Sequence, residues 1–253
     1  MWPELPRPII FAHRGASAQA PENTLAAFEL AARQGAPAIE LDVKLSADGQ
    51  VVVMHDATVD RTTDGKGRVC DLPLAALREL DAGSWFSEQY RGERIPTLGE
   101  VFETLGKRLF INVELTNYTT PRDALVEKVV ELVTSFGLQS SVLFSSFLPH
   151  NLSRAAEKLP ATPRGLLASP RWIGWWARSF GFAFGDYQAL HPFLHDVTVQ
   201  QIARVHRLHR RIHVWTVNAE SDLRRLFHWG VDGVFTDDPA LALRILEEKH
   251  DSN

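Results

Sequence analysis

Apolar runs and amphipathic segments alternate along most of the chain. Eight apolar runs have the length and residue types of buried strands, and most of them precede a segment with apolar residues at helical spacing. Repeated units of this kind indicate a parallel sheet with helices on its outside. The predicted strands cover residues 8–13, 38–43, 108–115, 141–147, 163–168, 186–191, 212–218 and 232–237. The predicted helices cover residues 21–35, 97–106, 121–137, 151–159, 172–182, 198–211 and 220–230.

The number of strand–helix units selects among the α/β folds. Eight units within 253 residues match the typical length of a (β/α)8 barrel. The sequence contains neither a glycine-rich dinucleotide-binding fingerprint nor a P-loop, which weakens the alternative of an open, doubly wound sheet. We therefore predict an α/β fold of the (β/α)8 TIM barrel class, formed by a single domain that spans residues 1–253.

The apolar run 51–55 departs from this alternation. It follows the turn "SADG" (46–49), which is too short for a helical crossover to a parallel strand. We predict that this run folds back on the second strand as an antiparallel β-hairpin, with Glu40 opposite His55. Residues 56–96 then form a small insertion before the second helix.

Acidic side chains interrupt two of the predicted strands on one side only. In "IELDV" (39–43) the apolar residues share one side and Glu40 and Asp42 share the other, and Glu114 is placed in the same way in "INVEL" (111–115). An exposed face of an edge strand would give this pattern too, but helices cover the outside of a barrel. We therefore expect the three acids to point inward near the carboxyl ends of the strands, where barrel active sites lie.

These acids predict a metal site with catalytic groups beside it. Converging carboxylates repel one another, and an all-oxygen donor set suits one divalent cation, Mg²⁺ or Ca²⁺, with Mn²⁺ also possible. His13 and His55 end the first strand and the hairpin; each alone would be interpreted as an ordinary hydrogen-bonded histidine, but together they suit acid–base catalysis. Arg14 adds a forked donor for an oxyanion, and the whole set suits phosphodiester cleavage.

Composition limits the classes of partner. The net charge of −4 provides no general attraction to nucleic acid, so we expect a small-molecule substrate instead. No apolar run reaches the roughly 18 residues that suggest a membrane-spanning helix. Cys70 is the only cysteine, which excludes an internal disulfide and fits a reducing compartment. No signal peptide is visible, so we predict a cytoplasmic location; the sequence predicts no oligomeric state.

A series of short motifs occurs in order along nearly the whole chain: "HRGASAQAPENTLAAF", "IELDVKLSADGQVVVMHD", "DRTTDGKG", "NVEL", "SSF", "VWTVN" and "GVDGVFTDDP". Each motif is weak alone, but the ordered set resembles the glycerophosphodiester phosphodiesterase family. The resemblance implies a metal-dependent (β/α)8 barrel with a small insertion after the second strand. It also implies roles for particular residues: catalysis by His13 and His55, metal binding by Glu40, Asp42 and Glu114, phosphate contact by Arg14, and substrate-site walls from Phe147 and Trp215.

The activity that the resemblance implies is hydrolysis of glycerophosphodiesters to glycerol 3-phosphate and an alcohol. The 2-hydroxyl of the substrate could attack first to give a cyclic phosphate that water then opens, with His13 as base and His55 as acid, or the reverse. A lysophospholipase D and a lyase that stops at the cyclic phosphate are alternatives. The family often has a lysine where this chain has Thr116, which leaves a phosphate-binding protein without catalysis as a weaker alternative.

Two further segments have open interpretations. Aromatic residues crowd the segment 171–185, which is either a helix packed on the barrel or an aromatic lid that makes peripheral contact with lipid. Glu22 and Asn23 precede the first helix, where they either cap it or orient Arg14.

Overall fold

The described part of the chain, residues 5–251 of a computed structural model, contains a closed barrel. The ends of the predicted domain, residues 1–4 and 252–253, lie outside the described residues. The strands are β1 Ile9–His13, β2 Ala38–Leu45, β3 Val51–Val53, β4 Phe110–Leu115, β5 Val142–Ser146, β6 Arg164–Ala168, β7 Ala189–Pro192, β8 Arg211–Val214 and β9 Gly233–Thr236. All of these except β3 are parallel and pair in the order β1-β9-β8-β7-β6-β5-β4-β2, and pairing of β1 with β2 closes the ring. The predicted (β/α)8 barrel is therefore confirmed.

Helices surround the barrel because the outward side of the strands is mostly apolar. Ile39, Leu41 and Val43 of β2 lie in one hydrophobic cluster with the buried faces of the helices. The alternation along β2 and β4 therefore leaves the acidic side chains inside, as predicted. The helices are α1 Leu25–Arg33, α2 Leu74–Glu79, α3 Leu98–Leu105, α4 Leu125–Ser135, α5 Pro149–Lys158, α6 Phe182–Phe184, α7 Val199–Arg207, α8 Glu220–Trp229 and α9 Pro239–Asp251.

Aromatic side chains fill the barrel interior at the amino-terminal ends of the strands. Phe11 stacks on Phe235 with ring centroids 4.6 Å apart and lies 6.4 Å from the ring of Phe110. These rings belong to a separate buried cluster inside the strands. Because the amino-terminal half is packed in this way, the polar side chains and the cavity lie at the carboxyl ends of the strands.

The predicted hairpin is present, but its register differs from the prediction by one residue. Strand β3, Val51–Val53, pairs antiparallel with β2, and Leu45 lies opposite Val51. The turn closes one residue later than expected because the backbone N–H of Ser46 donates to the carbonyl of Gln50 (3.0 Å). The ladder also ends at Val53, so the expectation that Glu40 faces His55 across the strands was wrong.

The excursion after the hairpin has a small core of its own. Val52 and Met54 pack there with Val59, Leu77 and Ile95, away from the main cluster. Helix α2 and two short 3₁₀ turns are the regular elements of this excursion. It rejoins the barrel at α3, where Thr97 and Glu100 form a capping box.

Two predicted helices differ from the structure. The first begins at Leu25, and Thr24 is its N-cap, because the Thr24 hydroxyl accepts from the N–H of Ala27; capping by Glu22 or Asn23 was wrong. The predicted helix 172–182 is not continuous. It consists of a 3₁₀ turn and a π-type turn before α6, and Ser179 has non-helical φ and ψ of −122° and −105°.

Candidate active site

Three carboxylates converge where β2 and β4 lie side by side. Glu40 pairs in register with Asn112, and Asp42 with Glu114, so all three acids point into the barrel. One oxygen from each of Glu40, Asp42 and Glu114 lies within 4.8 Å of the other two. Glu40 and Asp42 are buried, and Glu114 is partly exposed. The inward convergence predicted from strand alternation is therefore present.

The electrostatics of these acids fit a bound cation. Burial and the charges of Asp42 and Glu114 raise the pKa of Glu40 well above its ordinary value. Burial and the charge of Asp42 raise the pKa of Glu114 to about 8. The buried Oε1 of Glu40 has no hydrogen-bond partner among the described residues. An oxygen-only set with an orphaned buried oxygen suits a hard divalent ion.

Asp42 differs from its two neighbours because cationic groups surround it. Although burial acts to raise the pKa of Asp42, the charges of Arg14 and His55 and a hydrogen bond from Asn23 lower it below the ordinary value. Arg14 Nε lies 3.3 Å from Asp42 Oδ2, and Asn23 Nδ2 donates to the same oxygen (3.0 Å). Of the three acids, Asp42 is thus the one held most firmly as a carboxylate.

The turn after β1 positions Arg14. This residue has a left-handed backbone (φ 57°), and its N–H donates to Glu40 Oε2 (3.0 Å). Gly15 follows with φ 88°, and a Cβ there would lie 2.6 Å from the carbonyl carbon of Ala27. Only glycine fits both the dihedral angle and the space, so the "HRG" motif joins the turn that carries Arg14 to the start of α1.

A chain of ion pairs links this turn to the excursion. Glu22 Oε1 accepts from Arg14 Nη1 (2.8 Å), and both Glu22 oxygens accept from Arg61 (2.8 Å each). Arg61 Nε also donates to Asp56 Oδ2 (2.8 Å). Glu22 therefore orients Arg14, and Asn23 orients Asp42; neither caps the helix. Neither Arg61 nor Asp56 was predicted from the sequence as part of the site.

Each candidate catalytic histidine is paired with a carboxylate. His13 Nδ1 lies 2.7 Å from Asp237 Oδ1, and His55 Nδ1 lies 2.6 Å from Asp56 Oδ1. These contacts fix the orientation of the rings and leave Nε2 as the nitrogen for another partner. The hydrogen bond from Arg61 lowers the pKa of Asp56 far below its ordinary value, so Asp56 is a carboxylate at neutral pH.

A cavity of about 120 Å³ lies above the acids. Both histidines line it, together with Arg14, Glu40 and Glu114. Its far wall is aromatic: the Phe147 and Trp215 rings meet edge to face at 5.7 Å, and Tyr118 contacts Phe147 at 5.8 Å. The structure therefore brings seven of the eight predicted site residues to one cavity, with Asp42 beneath it: His13, His55, Glu40, Glu114, Arg14, Phe147 and Trp215.

Comparison with known proteins identifies the family. A family model described as "Glycerophosphoryl diester phosphodiesterase family" matches residues 13–241. A glycerophosphodiester phosphodiesterase of Caldanaerobacter subterraneus is 36% identical over 95% of this chain and 98% of that protein. A Bacillus subtilis protein of the same name is 34% identical over 93% of this chain and 85% of that protein. The chain belongs to the glycerophosphoryl diester phosphodiesterase family.

A solved structure agrees with this membership. A phosphodiesterase of Oleispira antarctica, determined in complex with the product sn-glycerol 3-phosphate, has a TM-score of 0.88 and 36% identity. The match covers 95% of this chain and 97% of the Oleispira chain. The resemblance stated from the motifs is confirmed, and so is the predicted enzyme class, a glycerophosphodiester phosphodiesterase.

The structure places a basic side chain, Lys44, beside Thr116, the position where the family resemblance led us to expect a lysine. Lys44 Nζ, on β2, donates to both the carbonyl and the hydroxyl of Thr116 (2.8 Å each). Burial lowers the pKa of Lys44, and the neighbouring Asp42 and Glu114 carboxylates act in the opposite direction. Lys44 does not line the cavity, so it compensates the charge of the acids from behind the site.

Several residues in and around this cavity were not predicted from the sequence. Tyr118 donates its hydroxyl to Glu114 Oε1 (2.7 Å), and no pattern around it signalled that role. His191 is buried inside the barrel and lines the cavity, and the buried His213 lies beside it, with 3.2 Å between His213 Nδ1 and His191 Nε2. Asp237 belongs to the motif "GVDGVFTDDP" and lies at the carboxyl end of a strand, so its position at the mouth of the barrel could have been inferred.

Proposed function

We propose that the chain hydrolyses glycerophosphodiesters to glycerol 3-phosphate and an alcohol in a reaction that requires one divalent cation and uses His13 and His55 as its acid–base pair. One observation carries the proposal. Two histidines, each paired with a carboxylate through Nδ1, line the same cavity as Arg14 and two of the three converging acids. Structural histidines and stray acids would not converge in this way.

Glu40, Asp42 and Glu114 would hold the cation, Mg²⁺ or Ca²⁺, with Mn²⁺ as a further candidate. A bound cation would supply positive charge that stabilises the charge developing on the phosphoryl group. The protein supplies a complementary charge, because the Arg14 guanidinium lies at the same cavity with its orientation set by Glu22. A dianionic transition state at phosphorus is stabilised by such fixed positive groups.

The two histidines divide the proton transfers. His13 Nε2 takes the proton from the 2-hydroxyl of the glycerol moiety as that oxygen bonds to phosphorus. His55 Nε2 gives a proton to the alcohol oxygen as its bond to phosphorus breaks, so the alcohol leaves neutral. The product is a cyclic phosphate, and the roles then reverse: His55 takes a proton from water as the water oxygen bonds to phosphorus, and His13 returns one to the 2-oxygen. Asp237 and Asp56 stabilise the two imidazoliums that form.

Phosphorus NMR of glycerophosphocholine turnover tests this proposal. We expect the diester signal to be replaced by that of glycerol 3-phosphate in the presence of a divalent cation. The His55→Ala variant should lose turnover because no group is left to protonate the leaving oxygen, whereas His228→Ala, on the exposed face of α8, should retain it. Retained turnover in His55→Ala would overturn the acid–base assignment.

The same spectra separate the alternatives. Accumulation of a cyclic phosphate by the wild-type protein would identify a lyase rather than a hydrolase. Absence of any turnover, with phosphate-ester binding intact, would identify a binding protein without catalysis. We expect neither result, because both carboxylate-paired histidines are in place.

A further inference from the structure

A cluster of exposed hydrophobic side chains lies between β6 and β7. We call it the aromatic surface, and its members are Trp172, Ile173, Trp175, Trp176, Phe180 and Phe184. Trp172 and Phe184 are 83% and 85% exposed, and the other four are more than half exposed. The interpretation of this segment as a helix packed on the barrel is therefore wrong for these six residues, although Phe182 is buried.

The side chains of the aromatic surface pack against one another. The Trp175 and Phe180 rings meet edge to face at 5.9 Å, and Phe180 stacks on Phe184 at 6.3 Å. The Trp176 ring lies against Gly181, where a Cβ would come within 2.4 Å of it. Ring-to-ring packing of this kind holds the side chains together while one side of each stays exposed.

The aromatic surface begins at the rim of the active-site mouth. Its segment leaves the carboxyl end of β6, directly after the strand in which Leu167 lines the cavity. Arg178 Nη1 fastens it there by donating to the carbonyl of Ser169 (2.8 Å) and to Asp196 Oδ2 (3.0 Å). The N–H of Arg171 donates to the same Asp196 oxygen (2.7 Å). A ligand that bound the start of the aromatic surface would therefore lie next to the opening of the cavity.

The charge of this segment favours a phospholipid surface as the occupant. Residues 169–185 contain three Trp, three Phe and two Arg and no acidic residue. Asp196 pairs with Arg178, whereas the Arg171 side chain is exposed beside Trp172. Tryptophan rings prefer the boundary between headgroups and acyl chains, and an arginine beside them meets lipid phosphates. A second copy docked about a two-fold axis would instead bring the Arg171 residues of both copies into one interface.

We propose that the aromatic surface binds the surface of a phospholipid bilayer and so presents the mouth of the barrel to diesters held in the lipid. The bilayer contact stands independently of the catalytic assignment. Delivery of a lysophospholipid to the site rests on the proposed function. The described residues 5–251 contain no helix that is long and apolar enough to cross a membrane, so the contact would be peripheral.

Flotation with phosphatidylcholine vesicles tests the bilayer contact. We expect the wild-type protein to float with the vesicles and the Trp172→Ser/Trp175→Ser double variant to float about tenfold less, since it loses two interfacial rings. Leu208→Ser is the matched control, because Leu208 is an exposed apolar residue that precedes β8 at the opposite end of the barrel. It should float like the wild type. Failure of the wild type to float, or equal loss in the control, would overturn the proposal.

Turnover assays keep this proposal distinct from the catalytic one. The double variant should hydrolyse soluble glycerophosphocholine at the wild-type rate but lose about tenfold on lysophosphatidylcholine embedded in the vesicles. Equal losses on both substrates would overturn the lipid role while leaving the activity in place. Sedimentation of both proteins provides a further check. A wild-type dimer that the double variant lacks would identify the surface as a contact between copies and overturn the proposal.

Discussion

At the scale of single residues, the site depends on groups that touch the proposed catalytic side chains from behind. Asp237 accepts from His13 and is itself held by Ser17 Oγ (3.1 Å) and Asn218 Nδ2 (2.5 Å). Although burial acts to raise the pKa of Asp237, the hydrogen bond and charge of His13 lower it. Asp237 therefore carries a negative charge at the ring it orients, which makes it a positioning residue for His13.

Replacement of Asp237 tests that role. The Asp237→Asn variant keeps the size of the side chain but loses the charge that stabilises a protonated His13, so kcat should fall by about two orders of magnitude. KM for glycerophosphocholine should change little, because Asp237 contacts the histidine and not the substrate. Asp222→Asn, on α8, is the control. A rise in KM at unchanged kcat would refute the positioning role.

Tyr118 acts in the same manner on a proposed metal ligand. Its hydroxyl donates to Glu114 Oε1, so Tyr118→Phe leaves the carboxylate with one bond fewer to hold its orientation. We expect the affinity for the divalent cation to fall about tenfold or more in calorimetric titration, with kcat restored at saturating cation. Unchanged cation affinity would show that Tyr118 serves only to pack against Phe147.

At the scale of elements, the turn between β1 and α1 combines fold and function. Its left-handed Arg14 and Gly15 bring the Arg14 N–H to Glu40 and the guanidinium to Glu22 and Asp42. The same turn packs against Ala27 of α1, so the position of the helix and the geometry of the site are coupled.

Two glycines with positive φ provide a matched pair for testing this coupling. Gly15→Ala forces a Cβ against the backbone of Ala27 and should destabilise the protein by about 3 kcal/mol and abolish turnover. Gly49→Ala, in the hairpin turn, has the same type of dihedral but open space, and should cost about 1 kcal/mol with turnover retained. Urea unfolding and turnover assays measure both. Equal effects at the two sites would contradict the account.

The elements also show what the sequence could predict. Alternation along β2 and β4 predicted correctly that Glu40, Asp42 and Glu114 face inward, because side-chain direction in a strand depends on period alone. The hairpin register was missed because one hydrogen bond, from Ser46 to Gln50, decides where the turn closes. The helical spacing of apolar residues in 172–182 led to a wrong prediction, because such spacing does not show whether the apolar face packs against another element.

Strand and helix patterns could not predict which side chains of distant segments are hydrogen-bonded to each other, even where they predict that a residue such as Asp237 lies at the mouth of the barrel. The Asp237–His13 pair joins residues at opposite ends of the chain, and the Arg61–Glu22 pair joins the excursion to the first turn. Such pairs depend on barrel closure and on side-chain length. The roles of the site residues, the identity of the cation and the cytoplasmic location stay predictions.

At the scale of the whole molecule, the barrel concentrates unfavourable charge at one end. Aromatic side chains fill the amino-terminal half of the barrel interior, and the three acids lie together at the carboxyl-terminal end. Arg14 and Lys44 compensate part of the negative charge of these acids. A metal-free protein must therefore hold protons on these acids or bear their repulsion. Cation binding and folding stability should be linked through this cluster.

The pH dependence of stability follows from Glu114. Its pKa is about 8 in the fold against 4.5 as the ordinary value, so between these values the metal-free fold holds a proton that the unfolded chain releases. The contribution of Glu114 to the stability of the metal-free protein is then fully present at low pH and is lost as the pH rises toward 8. Thermal unfolding after EDTA treatment should show this fall in Tm, and Glu114→Gln should reduce it. An equal fall in that variant would contradict the assignment.

The most direct test of the central claim is the turnover of glycerophosphocholine by metal-free protein to which Mg²⁺, Ca²⁺ or Mn²⁺ is added back. The account predicts no turnover after EDTA treatment and full recovery with one of these cations, saturating at one ion per chain. Asp42→Asn should need far more cation for the same recovery, because it loses a carboxylate of the cluster. Full turnover by the metal-free wild-type protein would contradict the account.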